Sequence, residues 1–431
     1  MTTWIGKPLR LLAGIGVLSA AGTPTFAQIV PPGWVSIAPV TGLGPTGQEM
    51  FPVPDNPPAT LFFGAALAAD HGTALIGMPG YPGGRDSRPP DQGAVAIFTN
   101  GSGSWARAGT LRANDAATGE FFGERVALLG DLAAVEAQSG VYVFRRTATG
   151  WSQIQKLVPP ANTQFDGGLA VGNAAIFVGA PAYDGPGAVF VFEPDLKGVW
   201  HPVQMLASGD AAGSDLFGGA IAVNAGTLVI GATGEFKGLG AAFVYVQRGT
   251  LWSRQQTLVP TDERTAASFG AAVAVSSGRI VVGAPDADPG PSEECFPPSS
   301  GAVYVYASRG SVWERQTRIA TPAPDCAGGL STGLFGTEVA VSAAHVVGAT
   351  PSEFPSEVGE VFDFNTDGAA EVPAGAAPDP SYVSTPVLSL SDEVLLVGFP
   401  ADRGFSTGFA EVFDLGGASP TVAATGNARQ D

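Results

Sequence analysis

Overlaid on itself, the chain repeats a four-segment unit, and that repetition constrains its fold more than any other feature. One copy reads Phe269-Gly270-Ala271-Ala272-Val273-Ala274-Val275, then Ile280-Val281-Val282-Gly283-Ala284-Pro285, then Gly301-Ala302-Val303-Tyr304-Val305-Tyr306, and closes with Trp313 and Ile319. The first segment recurs at Phe63, Phe122, Phe165, Phe217 and Phe335, with a worn copy near Pro386. The second ends in Gly77-Met78-Pro79, Gly179-Ala180-Pro181, Gly231-Ala232-Thr233, Gly348-Ala349-Thr350 and Gly398-Phe399-Pro400. The third opens at Gly93, Gly187, Gly240, Gly359 and Gly408. Each segment is short, rich in Val, Ile, Phe and Tyr, and bounded by Gly, Pro or Asn, which is the pattern of a strand. Apolar residues on both faces suit sheets stacked face to face, and small Ala and Gly in the first strand suit a crowded axis.

The fourth segment sets the register. Trp105, Trp151, Trp200, Trp252 and Trp313 are each followed six residues later by Leu111, Leu157, Leu206, Leu258 and Ile319. Trp34 and Val40 repeat that spacing ahead of the first Phe-Gly, while the last repeat has no fourth segment of its own. The pattern predicts an all-β, seven-bladed β-propeller of four-stranded antiparallel blades, its last blade completed by the N-terminal strand Trp34 to Val40.

The repeated Phe-Gly and Gly-Ala-Pro elements resemble those of the FG-GAP family, whose prototype is the integrin α-subunit propeller, from about Trp34 to Leu415. Glu136-Ala137-Gln138 stands where Gly-Ala-Pro is expected in the second repeat, and no Phe-Gly precedes Val387. The resemblance implies a propeller that recognises ligands through the loops of one face.

The remaining sequence frames that domain. Lys7 and Arg10, the apolar run Leu11 to Ala21 and Thr25-Phe26-Ala27 read as a secretory signal peptide over residues 1–27, so the protein is expected outside the cytoplasm, secreted or periplasmic. The propeller is expected over residues 28–415, followed by a polar tail at 416–431. The apolar run is short for a bilayer span, so no membrane insertion is expected. Loss of Lys7 and Arg10 takes the net charge from −18 to −20, which opposes nucleic acid and anionic membranes as partners.

Loop lengths are lopsided. Turns such as Ser276-Ser277-Gly278 are short, whereas Gly80 to Gln92, Ala207 to Asp215, Asp286 to Ser300 and Thr321 to Gly333 are long. In an up-and-down blade the long connections, from second to third strand and from blade to blade, emerge on one face, where binding residues are expected. Asp286, Asp288, Glu293 and Glu294 form an acidic cluster there, suited to a cation, a basic partner or plain solvation. Cys295 and Cys326 fall in two of these loops, and a disulfide between them would stabilise the exported protein by about 3 kcal/mol. Asp363, Asn365, Asp367, Gly368 and Glu371 have the spacing of a calcium loop and equally that of an ordinary turn between strands.

Catalytic patterns are weak. Gly329-Leu330-Ser331-Thr332-Gly333 and Gly404-Phe405-Ser406-Thr407-Gly408 fit Gly-x-Ser-x-Gly but lack the strand-to-helix turn of a nucleophile elbow. His71, His201 and His345 fall in different repeats, so no triad or zinc site is legible. The sequence therefore favours a non-enzymatic binding or scaffold protein contacting a protein or glycan. An extracellular hydrolase or lyase acting on polymer, and a structural module of a larger envelope assembly, are the alternatives. With cleavage after Ala27, N-terminal sequencing of the exported protein is expected to give Gln28 first.

Overall fold

The computed structural model describes residues 34–36, 48–50, 62–80, 92–101, 104–172, 174–209, 215–262, 267–287, 301–320, 334–351, 361–365, 386–391, 394–400 and 409–414. They form seven sheets in a ring, antiparallel throughout except for one added edge strand. Blade four shows the plan: Ile221–Asn224, Thr227–Ala232, Ala241–Arg248 and Leu251–Leu258 pair in chain order from the axis outward. Blades one, two, three and five repeat it. Blade six shows three strands among the described residues, Glu338–Val341, His345–Ala349 and Val361–Asn365. Helix among the described residues is one turn, Glu235–Gly238, with Phe236 and Lys237 in the left-handed region.

Each apolar cluster spans two neighbouring blades, so the core is a set of inter-blade layers rather than one centre. The layer that closes the ring joins Leu396, Ala410 and Val412 of blade seven to Phe63, Leu67 and Ile76 of blade one.

The repeated motifs acquire physical meaning at the axis. Phe63, Phe122, Phe217, Phe269 and Phe335 are wholly buried, and each meets a ring on its own blade's third strand, as Phe269 meets Tyr304 at 5.2 Å. The residue before each of them (Phe62, Phe121, Leu216, Ser268, Leu334) has positive φ, and the glycine after it has φ of 92–100°. Only glycine takes that conformation without strain. The glycine of the second strand then abuts the Phe-Gly glycine of the next blade: Gly77 on Gly123, Gly179 on Gly218, Gly231 on Gly270, Gly283 on Gly336, and Gly398 on Gly64 across the closure. A Cβ on the first member of any pair would come within 3.0 Å of the second's carbonyl oxygen.

The rim has its own ties. Gln155, Gln204 and Gln256 each reach the tryptophan that opens the next blade's outer strand. The amide of Gln204 donates to the Trp252 carbonyl at 2.9 Å and accepts from its N–H at 2.9 Å. Gln155 treats Trp200 the same way, and Gln256 treats Trp313.

The N-terminal segment departs from expectation. Trp34–Ser36 does not complete the last blade; it pairs in parallel with Arg318–Ala320, on the outer edge of blade five. Beside Phe409–Asp414 of blade seven lies Gln48–Met50 instead, antiparallel. Chain length accounts for this. The connections 112–125, 158–168, 207–220 and 259–272 that lead from one blade to the next hold 14, 11, 14 and 14 residues. From Met50 to Leu67 the gap is 16 residues, whereas from Val40 it would be 26. The tryptophan spacing pointed to the wrong segment, but the circular packing does not depend on it.

Removing one rim tie strands two backbone groups at once. Gln204→Ala is expected to destabilise the protein by about 1–3 kcal/mol, measured as a lower denaturant midpoint with an unchanged slope.

Candidate functional site

The inter-blade rule fails at one described seam. Where blade two should offer a glycine it has Glu136, and where blade three should follow phenylalanine with glycine it has Asp166. Neither Gln164 nor Asp166 is in the left-handed region, so blade three enters its inner strand by a different path. Arg125, at the head of blade two's inner strand, bridges the seam. Its Nη1 donates to Glu136 Oε1 at 2.7 Å and its Nη2 to the carbonyl of Asp166 at 2.9 Å.

Glu136 is 1% exposed, and its Oε2 has no hydrogen-bond partner. Burial pushes its carboxyl up to about 8 against the pull of Arg125, with Glu124 and Asp166 adding to the rise. Glu338 stands at the head of blade six's inner strand, the position that Arg125 occupies in blade two. Dense surroundings raise it to about 7, again opposed by Arg125, although part of its surface stays open. Arg125 thus opposes the rise of both carboxyls, and it is bonded to Glu136.

Beside this seam the long-loop face opens into a cleft of about 430 Å³. One wall is the chain entering blade three, Ala161 to Gln164 with Asp166; the other is Ala182, Tyr183 and Asp184, from the loop joining its second and third strands. Phe165 anchors the first wall against Phe190 at 5.7 Å, and Tyr183 anchors the second by meeting the same ring edge-on at 5.4 Å. A smaller cavity of about 120 Å³, lined by Ala174, Ala225 and Trp252 among others, lies by the short hairpins of the opposite face.

Residues 200–245 and 252–306 match the FG-GAP repeat family, and they cover the outer strand of blade three, blade four and most of blade five. The chain is a β-propeller that carries FG-GAP repeats over these residues. No curated protein matches it. Among solved structures it is similar to a chain of a Saccharomyces cerevisiae complex of Dbp5 with Nup159, Gle1, IP6 and ADP. That likeness has 10% identity and a TM-score of 0.42, over 85% of this chain and 94% of that one. It is also similar to Kluyveromyces lactis Hsv2, at 12% identity and a TM-score of 0.48, over 81% of this chain and 92% of that one.

On the FG-GAP frame the residues singled out by sequence scatter. Asp286 follows blade five's second strand, its N–H bonded to the Ala267 carbonyl and its carboxylate accepting from Ser268 Oγ. Its companions Asp288, Glu293 and Glu294 lie outside the described residues, as do Cys295 and Cys326, Asp367, Gly368, Glu371 and both Gly-x-Ser-x-Gly stretches. Asp363 sits within blade six's third strand, largely buried, with Oδ2 2.8 Å from His345 Nδ1, and Asn365 ends that strand. Among the described residues no three His, Cys, Asp or Glu side chains gather as a metal site. His71 and His201 pair with Asp70 and Asp195 in blades one and three, far from His345 in blade six.

Sequence reasoning missed the seam itself. It noted the loss of Gly-Ala-Pro at Glu136 but did not set it against Asp166, the matching loss on the facing blade. Glu136 binds its proton more tightly folded than unfolded, since its folded value near 8 exceeds the ordinary 4.5. Its stabilising contribution is therefore complete below about pH 4.5 and fades as pH rises through 8. Thermal melts should show the wild type losing stability from pH 5 to 9 more steeply than Glu136→Gln, which keeps an acceptor for Arg125 and cannot ionise.

Proposed function

We propose that this protein is a non-enzymatic binding or scaffold protein, acting outside the cytoplasm, that contacts a protein or glycan through the long-loop face of its FG-GAP propeller. The observation that carries this reading is the coincidence of cleft and seam. The described junction that abandons the glycine pair borders the larger described cavity, on the face where the long connections emerge. A local break in an otherwise consistent repeat is where function is sought first. The acidic balance of the chain favours partners that are neutral or basic there.

A second reading, a hydrolase or lyase acting on polymer at the same face, draws on Glu136 and Glu338, since raised carboxyls are what acid catalysis uses. Glu136 argues against it: its carboxyl is buried and held by Arg125, out of reach of a polymer.

Capture of partners from surface extracts should discriminate. Ala182→Trp, which fills the cleft, is expected to abolish capture, and Ala174→Trp on the opposite face to leave it intact. Equal capture by both variants would remove the long-loop face from the function.

A further inference from the structure

The cleft of blade three has a chemistry that narrows what it can hold. We infer that it is a carbohydrate site, taking a sugar unit that bears hydroxyls and no acidic group; this rests on the long-loop face being the binding face. Six of its eight lining residues carry polar side chains: Asn162, Thr163, Gln164, Asp166, Tyr183 and Asp184. Amides, a hydroxyl and carboxylates in one concavity supply both donors and acceptors, which a ligand with adjacent hydroxyls can satisfy together. Tyr183 adds a half-buried ring whose apolar face suits the C–H surface of a sugar.

The same lining excludes other ligands. Its only aliphatic side chains are the methyls of Ala161 and Ala182, so a lipid tail would gain little by burial there. No lysine, arginine or histidine lines it, and Asp166 and Asp184 would repel a phosphate, sulfate or uronate. A volume of about 430 Å³ lies within the range of about 300–1,000 Å³ that small-ligand sites occupy. It is a concavity rather than the broad flat area that protein partners use.

The test is an array of neutral oligosaccharides and their uronate-bearing counterparts, probed with the full chain and followed by calorimetry on the sugars retained. Neutral sugars should be retained and uronates not. Asn162→Gly keeps the left-handed backbone at φ 63° while removing the amide, and should weaken binding about tenfold, as expected for one lost hydrogen bond. Asp184→Asn should gain uronate binding by a similar factor, a change of specificity that a general loss of folding could not produce. Retention of no neutral sugar, or binding indifferent to Asn162→Gly, Asp184→Asn and Ala182→Trp, would overturn the inference. If the array stays blank while Ala182→Trp still abolishes partner capture, the carbohydrate site fails and the binding face stands. If both fail, so does the reading beneath them.

Discussion

Backbone crowding at the axis is the constraint from which the rest of this ring follows. Seven sheets can converge only if their inner corners carry almost no side chain, and the chain meets that demand with pairs of glycines, one from each side of a seam. The same corner turns sharply, so the residue ahead of each Phe-Gly phenylalanine adopts positive φ and the phenylalanine is driven into the layer between blades. Phe-Gly and Gly-Ala-Pro are therefore the two halves of one contact, contributed by successive blades. The recurrence of that contact between Gly398 and Gly64 shows the last blade meeting the first on the same terms as four other pairs of neighbours.

Against this uniformity the seam between blades two and three is a substitution of mechanism. Two charged residues replace two glycines, and a guanidinium fills the space between them. Burying a carboxyl beside one arginine with one oxygen unbonded is costly compared with a glycine pair, which is reflected in how tightly Glu136 holds its proton. One wall of the neighbouring cleft is the segment by which blade three, lacking the Phe-Gly turn, enters its inner strand.

The architecture was legible because it is written seven times, and repetition averages out local noise. The spacing from tryptophan to leucine located every outer strand of blades one to five, since the two residues pack into the layers on either side of their blade. It failed at Trp34 because a spacing match carries no information about how far the chain must travel afterwards; the length of the connection to Leu67 does. The candidate site was hidden for a different reason. Arg125, Glu136 and Asp166 are unremarkable in isolation, and become a site only when two repeats are set side by side across their shared seam. The glutamine ties were likewise invisible to a reading confined within single repeats, although Gln155, Gln204 and Gln256 each stand four residues after a tryptophan.

Those glutamines have a mechanical corollary. They occur at three successive seams, from blade two through blade five, and the corresponding residues in blades one and five are Gly109 and Thr317. Hub contacts alone let a sheet pivot about its inner corner, but a second fastening at the outer edge removes that hinge. Blades two to five thus form a stiffened arc, and the walls around Phe165 and Tyr183 belong to it. The outer-edge bonds therefore restrain the walls of the cleft as well as the strands that carry them.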